Sequence, residues 1–263
     1  MAGAAAAGRL SMLGRVRSRI GARRYAQRSG LKLIDAFAEA HPAASFVEIG
    51  ANDGESEDLL RGHIRGGRWT GVMVEPVPHI FERLRANYDG VAGVTLENCA
   101  IADREGLMPF FHLRPSDEPG LPDWYDLIGS FSRENVLSHR DEIPDIEERI
   151  VETQVTTLTF DALCEKHSID RVDLILVDTE GYDAEILKRI DLAAHRPRLV
   201  IYEHYHLGEA VQADLLSAFA RAGYETLEEH FETFCLRTED DELSRRFRRM
   251  RPRLPALRAD ARP

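Results

Sequence analysis

Disulfide chemistry has little to work with in this chain. Its 263 residues hold three cysteines, Cys99, Cys164 and Cys235, an odd number, widely spaced and without a C-x-x-C pair. That excludes a disulfide scaffold and a cysteine-ligated zinc site, and the expectation is a reducing, cytoplasmic setting. Long apolar runs are also missing. Nothing approaches the roughly 18 apolar residues of a membrane-spanning helix, and Arg9 interrupts the alanine-rich start too early for a secretory signal. No G-x-S-x-G surrounds Ser130, so that serine is not read as a nucleophile.

Acid is scarce only at the two ends. Met1 to Ile34 carries eight basic residues and no acid, and residues 242–263 carry eight arginines against two acids. With balances of +8 and +6 at the ends and a formal charge of -11 overall, about -25 falls on the residues between. A body that acidic repels phosphate backbones, which argues against a nucleic-acid partner. The expected organisation is a basic arm or helix at 1–34, a folded domain at 35–241 and a basic tail at 242–263. Leu10, Leu13, Val16 and Ile20 form a stripe among arginines that suits peripheral contact with an anionic membrane. A loosely packed leading helix, a disordered arm or a mitochondrial presequence has the same composition. Composition leaves the choice between monomer and homo-oligomer open.

What is present is a globular composition, 43% hydrophobic and 30% charged, in a length ordinary for one α/β domain. Phe46 to Gly54, F-V-E-I-G-A-N-D-G, reads as a buried parallel strand ending in a glycine turn, with a helix opening at Glu55 to Leu60. Gly50 and Gly54 are expected to let backbone N–H groups approach a ligand. The spacing is G-x-x-x-G and not G-x-G-x-x-G, which counts against an NAD-dependent dehydrogenase. Asn52, Asp53 and Glu55 put acid where that fingerprint holds phosphate, so a cationic ligand fits better.

A second run, Gly71 to Val74, ends in Glu75-Pro76, 21 positions after Gly54, where a doubly wound sheet places the acid that binds a ribose diol. Val94 to Cys99 is expected as strand three, with Asn98, Cys99 and Ala100 at its tip facing an adenine edge. Residues 103–152 are irregular, with an extra strand near Met108 to Leu113. They read as a substrate-side insertion in which His112 and His139 could line an acceptor pocket and Trp124 and Tyr125 could stack on a sugar or anchor the loop. Two more strands end in acids and imidazoles: Val172 to Val177 runs into D-T-E-G-Y-D, and Arg198 to Tyr202 into E-H-Y-H. Asp178, Glu203, His204 and His206 are therefore expected to converge at the carboxyl edge of the sheet. His204 or His206 would act as general base, or Asp178 with Glu203 or His204 would hold a divalent ion such as Mg2+.

Taken together, E-I-G-A-N-D-G at Glu48 to Gly54, E-P at Glu75-Pro76, N-C-A-I-A-D at Asn98 to Asp103, T-F-D-A-L at Thr159 to Leu163, D-T-E-G-Y-D at Asp178 to Asp183 and Y-E-H-Y-H-L at Tyr202 to Leu207 resemble the FkbM-type S-adenosylmethionine-dependent methyltransferases. Family members often have Asp where Glu48 stands, a change that keeps the charge. The resemblance covers about Ser45 to Leu236. It implies a class I methyltransferase fold, a Rossmann-like sheet of about seven strands with helices on both faces, the last strand antiparallel and an insertion after strand three. It also implies O-methylation of a hydroxyl on a sugar, glycolipid or other natural product. On that reading Glu48, Gly50, Ala51, Asn52, Asp53, Gly54, Glu75, Pro76, Asn98, Cys99, Ala100 and Asp178 would surround S-adenosylmethionine. The other reading is a non-catalytic nucleotide-binding module that recruits a partner through its arginine-rich ends.

Overall fold

The computed structural model describes residues 30–56 and 58–250; the leading arm to residue 29, Glu57 and the last thirteen residues of the basic tail lie outside them. Seven strands form the main sheet: β1 (Ser45–Ile49), β2 (Thr70–Val74), β3 (Val94–Glu97), β8 (Leu174–Val177), β9 (Leu199–Glu203), β10 (Tyr224–Glu229) and β11 (Glu232–Arg237). Their spatial order is β10-β11-β9-β8-β1-β2-β3, all parallel except β11, which runs antiparallel to both neighbours. The chain thus builds outward from β1 to one edge, returns, and builds outward from β8 to the other. That is the class I methyltransferase sheet, and its switch point lies between β1 and β8, where open α/β sheets bind ligands.

Alternation along each strand divides two apolar layers. Phe46, Met73, Leu174, Leu176 and Ile201 face one side, against Leu33, Ile34 and Phe37 of helix α1 (30–40), Ile64 of α2 (Arg61–Arg65) and Leu84 of α3 (Pro78–Asn87). Val47, Ile49, Val72, Ile175 and Val200 face the other, against Phe160 and Leu163 of α6 (Phe160–Lys166), Ile186 of α7 (Asp183–Leu187) and Phe219 of α9 (Glu209–Arg221). The three cysteines are buried and unbridged.

The insertion after β3 folds into a second sheet of order β4-β7-β5-β6, made of β4 (Ala100–Ile101), β5 (Gly106–Leu113), β6 (Gly129–Ser130) and β7 (Ile150–Leu158). Helices α4 (Arg133–Leu137) and α5 (Ile146–Arg149) pack on it through Val136, Leu137 and Ile146. Strand three ends at Glu97 rather than at Cys99, because Ala100 and Ile101 leave the main sheet to pair with Thr157 and Leu158.

The basic tail opens with a docked helix, α10 (Glu242–Met250), whose Leu243 and Phe247 enter the first core layer. Arg198, 2% exposed, ties it down by donating to Asp241 Oδ2 at 2.5 Å and Ser244 Oγ at 3.0 Å. Phe247→Ala is expected to destabilise the fold by about 3–5 kcal/mol, since a fully buried aromatic leaves a cavity that the sheet cannot close. The urea midpoint checks this, and a value unchanged from wild type would mean that α10 is not docked in solution.

Candidate functional site

One cavity opens over the carboxyl ends of β1, β2, β8 and β9. Its floor is the glycine turn. Gly50 has φ +81, and a Cβ there would stand 1.8 Å from the carbonyl oxygen of Asp178, so only glycine lets β1 turn beside β8. The Gly50 and Ala51 N–H groups both donate to Val74 O at 3.0 Å. Asn52 also takes a left-handed conformation, φ +54, and donates from Nδ2 to Leu127 O, tying the turn to the insertion.

Glu75 is the best anchored acid of the site. Its Oε1 accepts from Val77 N–H at 2.7 Å and its Oε2 from Asn52 N–H at 3.1 Å. Burial nevertheless outweighs these bonds and pushes its carboxyl from the ordinary 4.5 up to about 7. The folded protein therefore holds a proton between pH 4.5 and 7 that the unfolded chain has released. The corresponding stability is complete below pH 4.5 and is lost as pH rises through 7, by about 3 kcal/mol. Urea midpoints at pH 5 and pH 8 should differ in that direction and Glu75→Gln should narrow the gap; an equal gap in both proteins would refute the assignment.

Glu48, 3% exposed next to the carboxyl end of β1, is held well above its ordinary range by burial first and then by the negative charges of Asp58 and Asp178. Asp58, which shares a hydrogen bond with Glu48, also accepts from Tyr88 Oη at 3.0 Å and caps Leu60 and Arg61. Its Oδ1 on Leu60 and Arg61 starts α2 at Arg61, so the described residues of the stretch 55–60 are not helical, against the expectation of a helix opening there. Nothing in the local pattern marked Asp58 as a cavity residue; a buried partner for an interior strand acid was the available signal.

Of the residues expected from sequence to hold the cofactor, a metal or the transferred proton, Glu48, Gly50, Ala51, Asn52, Glu75, Pro76, Cys99, Ala100, Asp178 and Glu203 line this cavity. Five do not. Asp53 folds back to accept from Glu55 N, Ser56 N and Ser56 Oγ. Gly54 is a packing glycine, since a Cβ there would meet Tyr88 and Leu84 side chains at 2.5 and 2.6 Å. Asn98 braces the neighbouring strand end, donating from Nδ2 to Glu75 O and Pro76 O. His204 shares a hydrogen bond between Nδ1 and Thr233 Oγ1 at 2.9 Å, and burial lowers its pKa. His206 stands behind the wall, with Nε2 2.8 Å from Glu180 Oε2 and 3.8 Å from Glu203 Oε2.

The insertion adds Phe110, Trp124, Leu127, Phe131 and His139 to the lining. The Trp124 and His139 rings are 5.5 Å apart. His112 is buried away from the cavity with Nδ1 on Leu113 O. Glu180, between Asp178 and the insertion, has φ +51, and its carbonyl accepts from Ser130 Oγ at 3.0 Å and Asn135 Nδ2 at 2.9 Å. The site thus has an acidic, glycine-turned half and an aromatic half, with Asp178, Glu180 and Glu203 between them.

Residues 48–226 match the family described as Methyltransferase FkbM domain. The 2-O-methyltransferase NoeI of Sinorhizobium fredii (strain NBRC 101917 / NGR234) is 28% identical over 147 residues, 56% of this chain and 57% of that protein. The match therefore spans little more than half the length of that curated relative. Among solved structures, methyltransferase FkbM from Methylobacillus flagellatus KT superposes with a TM-score of 0.45 at 16% identity, over 73% of this chain and 43% of that one. Aeropyrum pernix fibrillarin, solved with natively bound S-adenosyl-L-methionine, gives 0.38 at 10% identity, over 74% and 66%.

Proposed function

The chain belongs to the FkbM methyltransferase family, and from that premise we propose that it is an S-adenosylmethionine-dependent methyltransferase acting on a hydroxyl oxygen of a sugar, glycolipid or related natural product. The residues present fit the methyl donor. Glu48 Oε2 is buried at the cavity with no hydrogen bond, and burial first, then the negative charges of Asp58 and Asp178, hold this carboxyl above its ordinary range, so an arriving cation would be welcomed there. Glu48 would hold the α-amino group, Glu75 the ribose hydroxyls, and Cys99, Ala100 and Ile101 the adenine rim. S-adenosylmethionine, when bound, supplies an electrophilic methyl group.

The observation that carries the choice of oxygen is the set of carboxylates and imidazoles at the far side of the cavity. A hydroxyl must lose its proton as it attacks, and Asp178, Glu180 and Glu203, with His139 and His206 against Glu180, offer acceptors for it. Trp124 gives the insertion a flat face of the kind on which a sugar ring stacks, and the rest of the rate enhancement would come from holding the acceptor oxygen in line. The relative named as a 2-O-methyltransferase agrees in reaction class.

The test is transfer of labelled methyl from S-adenosylmethionine to a panel of sugars, glycolipids and matched amines, with the product located by mass spectrometry. Ether formation on a hydroxyl is expected, and transfer confined to amines would overturn the reading. With an active acceptor, Glu180→Gln should lower kcat by about 100- to 10,000-fold, the range of a lost general base, while S-adenosylhomocysteine affinity stays within about twofold.

A further inference from the structure

At the acceptor end of the cavity, three loops distant in sequence bring donor atoms to one point. His139 follows α4, Glu180 follows β8 and His206 follows β9. His206 Nε2 is 2.8 Å and His139 Nε2 4.0 Å from the same oxygen, Glu180 Oε2, and the three atoms lie within 4.8 Å of one another. We propose that His139, Glu180 and His206 form a binding site for a first-row transition dication such as zinc, cobalt or manganese.

Ion pairing alone accounts poorly for the arrangement. His206 Nε2 is buried and makes no hydrogen bond, although Glu180 Oε2 is so near, which means that the ring nitrogen does not aim at that oxygen. The Nδ1 of His139 lies 3.7 Å from the partly buried carboxylate of Glu142, longer than a hydrogen bond but on the side from which a carboxylate orients a metal-bound imidazole. Glu180 sits on a left-handed backbone whose carbonyl is pinned by Ser130 and Asn135, so its position is set by the fold. Metal bonds of about 2.0–2.2 Å require donors roughly 3–4 Å apart, against the 4.8 Å within which these three atoms lie.

The donor set also selects the ion. Two imidazoles and one carboxylate suit zinc, cobalt or manganese, whereas magnesium prefers oxygen and water throughout. The site thus differs from a magnesium site on Asp178, Glu203 and His204: His204 belongs to neither donor cluster found among the described residues, and Asp178 and Glu203 become a carboxylate flank that shares Glu180. The role of the ion rests on the hydroxyl-methylation reading, because Glu180 and His139 line the cavity and an ion held by them would lower the pKa of an acceptor hydroxyl. Its binding does not depend on that reading.

The experiment is a calorimetric titration of the full chain, stripped with chelator and dialysed, with ZnCl2, and an optical titration with CoCl2, both without cofactor. One ion per chain is expected, with visible bands of nitrogen-coordinated cobalt. His206→Gln and His139→Gln should each weaken it by roughly 100-fold or more, and Glu142→Gln by roughly tenfold. S-adenosylhomocysteine titration of each variant separates the two claims: retained cofactor binding with lost metal supports the site and shows a folded protein. If either histidine variant does not fold, Glu180→Gln carries the same comparison. The absence of binding, zinc held equally by the His139→Gln/His206→Gln double variant, or magnesium competing on equal terms would overturn the proposal.

Discussion

S-adenosylhomocysteine is expected to bind Glu75→Ala about 100- to 1000-fold more weakly than wild type, measured by calorimetric titration at pH 8. A ribose diol donating two hydrogen bonds to an ionised carboxylate gains about 1.5–3 kcal/mol from each, and each 1.4 kcal/mol is tenfold in affinity. Each Glu75 oxygen already accepts one backbone N–H and keeps a lone pair for the ligand. Because the free carboxyl titrates near 7, wild-type affinity should also fall about tenfold from pH 8 to pH 6, as binding must first remove the proton. Alanine abolishes that slope along with the affinity. Equal affinity in mutant and wild type, with both proteins folded by thermal melting, would remove Glu75 from the cofactor site.

A second large effect is expected at Gly50→Ala, through the backbone and not through a lost contact. The new Cβ would overlap the Asp178 carbonyl oxygen, a backbone atom that cannot rotate away, and φ +81 costs an L-residue about 1–2 kcal/mol before any collision. Asp178 N also donates to Ile49 O at 2.9 Å, so parting the two strand ends breaks a sheet bond at the switch point. Loss of more than about 3 kcal/mol of stability is expected, with loss of cofactor binding in whatever fraction stays folded. Gly90→Ala is the contrast, since nothing lies within 4 Å of a Cβ there and only the positive φ, +73, is felt. Similar urea midpoints for the two variants would show that the β1–β8 junction tolerates widening.

The central sheet was legible because its strands are short, continuous apolar runs that end in glycine or acid, and burial on both faces leaves little else such runs can be. The acids and glycine that line the cavity at β1 and β2 were legible for the same reason: Glu48, Gly50 and Glu75 each stand at or next to a strand end, and strand ends are where a parallel sheet collects its ligand groups. Residues that act through folding back were not. Asp53 and Asn98 carry the right chemistry for a ligand, yet turn geometry uses them on nearby backbone, and no spacing distinguishes the two fates. The E-H-Y-H segment failed in part for a related reason. The register of β9 settles Glu203 into the cavity, while His204, whose N–H donates to Phe231 O, turns its ring toward Thr233 on β11. His139 was visible as a residue but not as a neighbour of Glu180, because the second sheet that delivers it joins segments about forty residues apart in sequence.

That second sheet enters and leaves the main fold through one doorway. Ala100 on β4 and Thr157 on β7 are register partners in adjacent parallel strands, so both ends of the segment are held roughly 5 Å apart. Everything between them carries its own small core of Leu113, Tyr125, Val136 and Ile146. The segment is therefore an exchangeable cassette. On the proposed reading, a relative's segment spliced at the same two strands would carry acceptor choice with it, once its contacts to the other half, Leu127 on Asn52 and Phe110 on Val77, are matched.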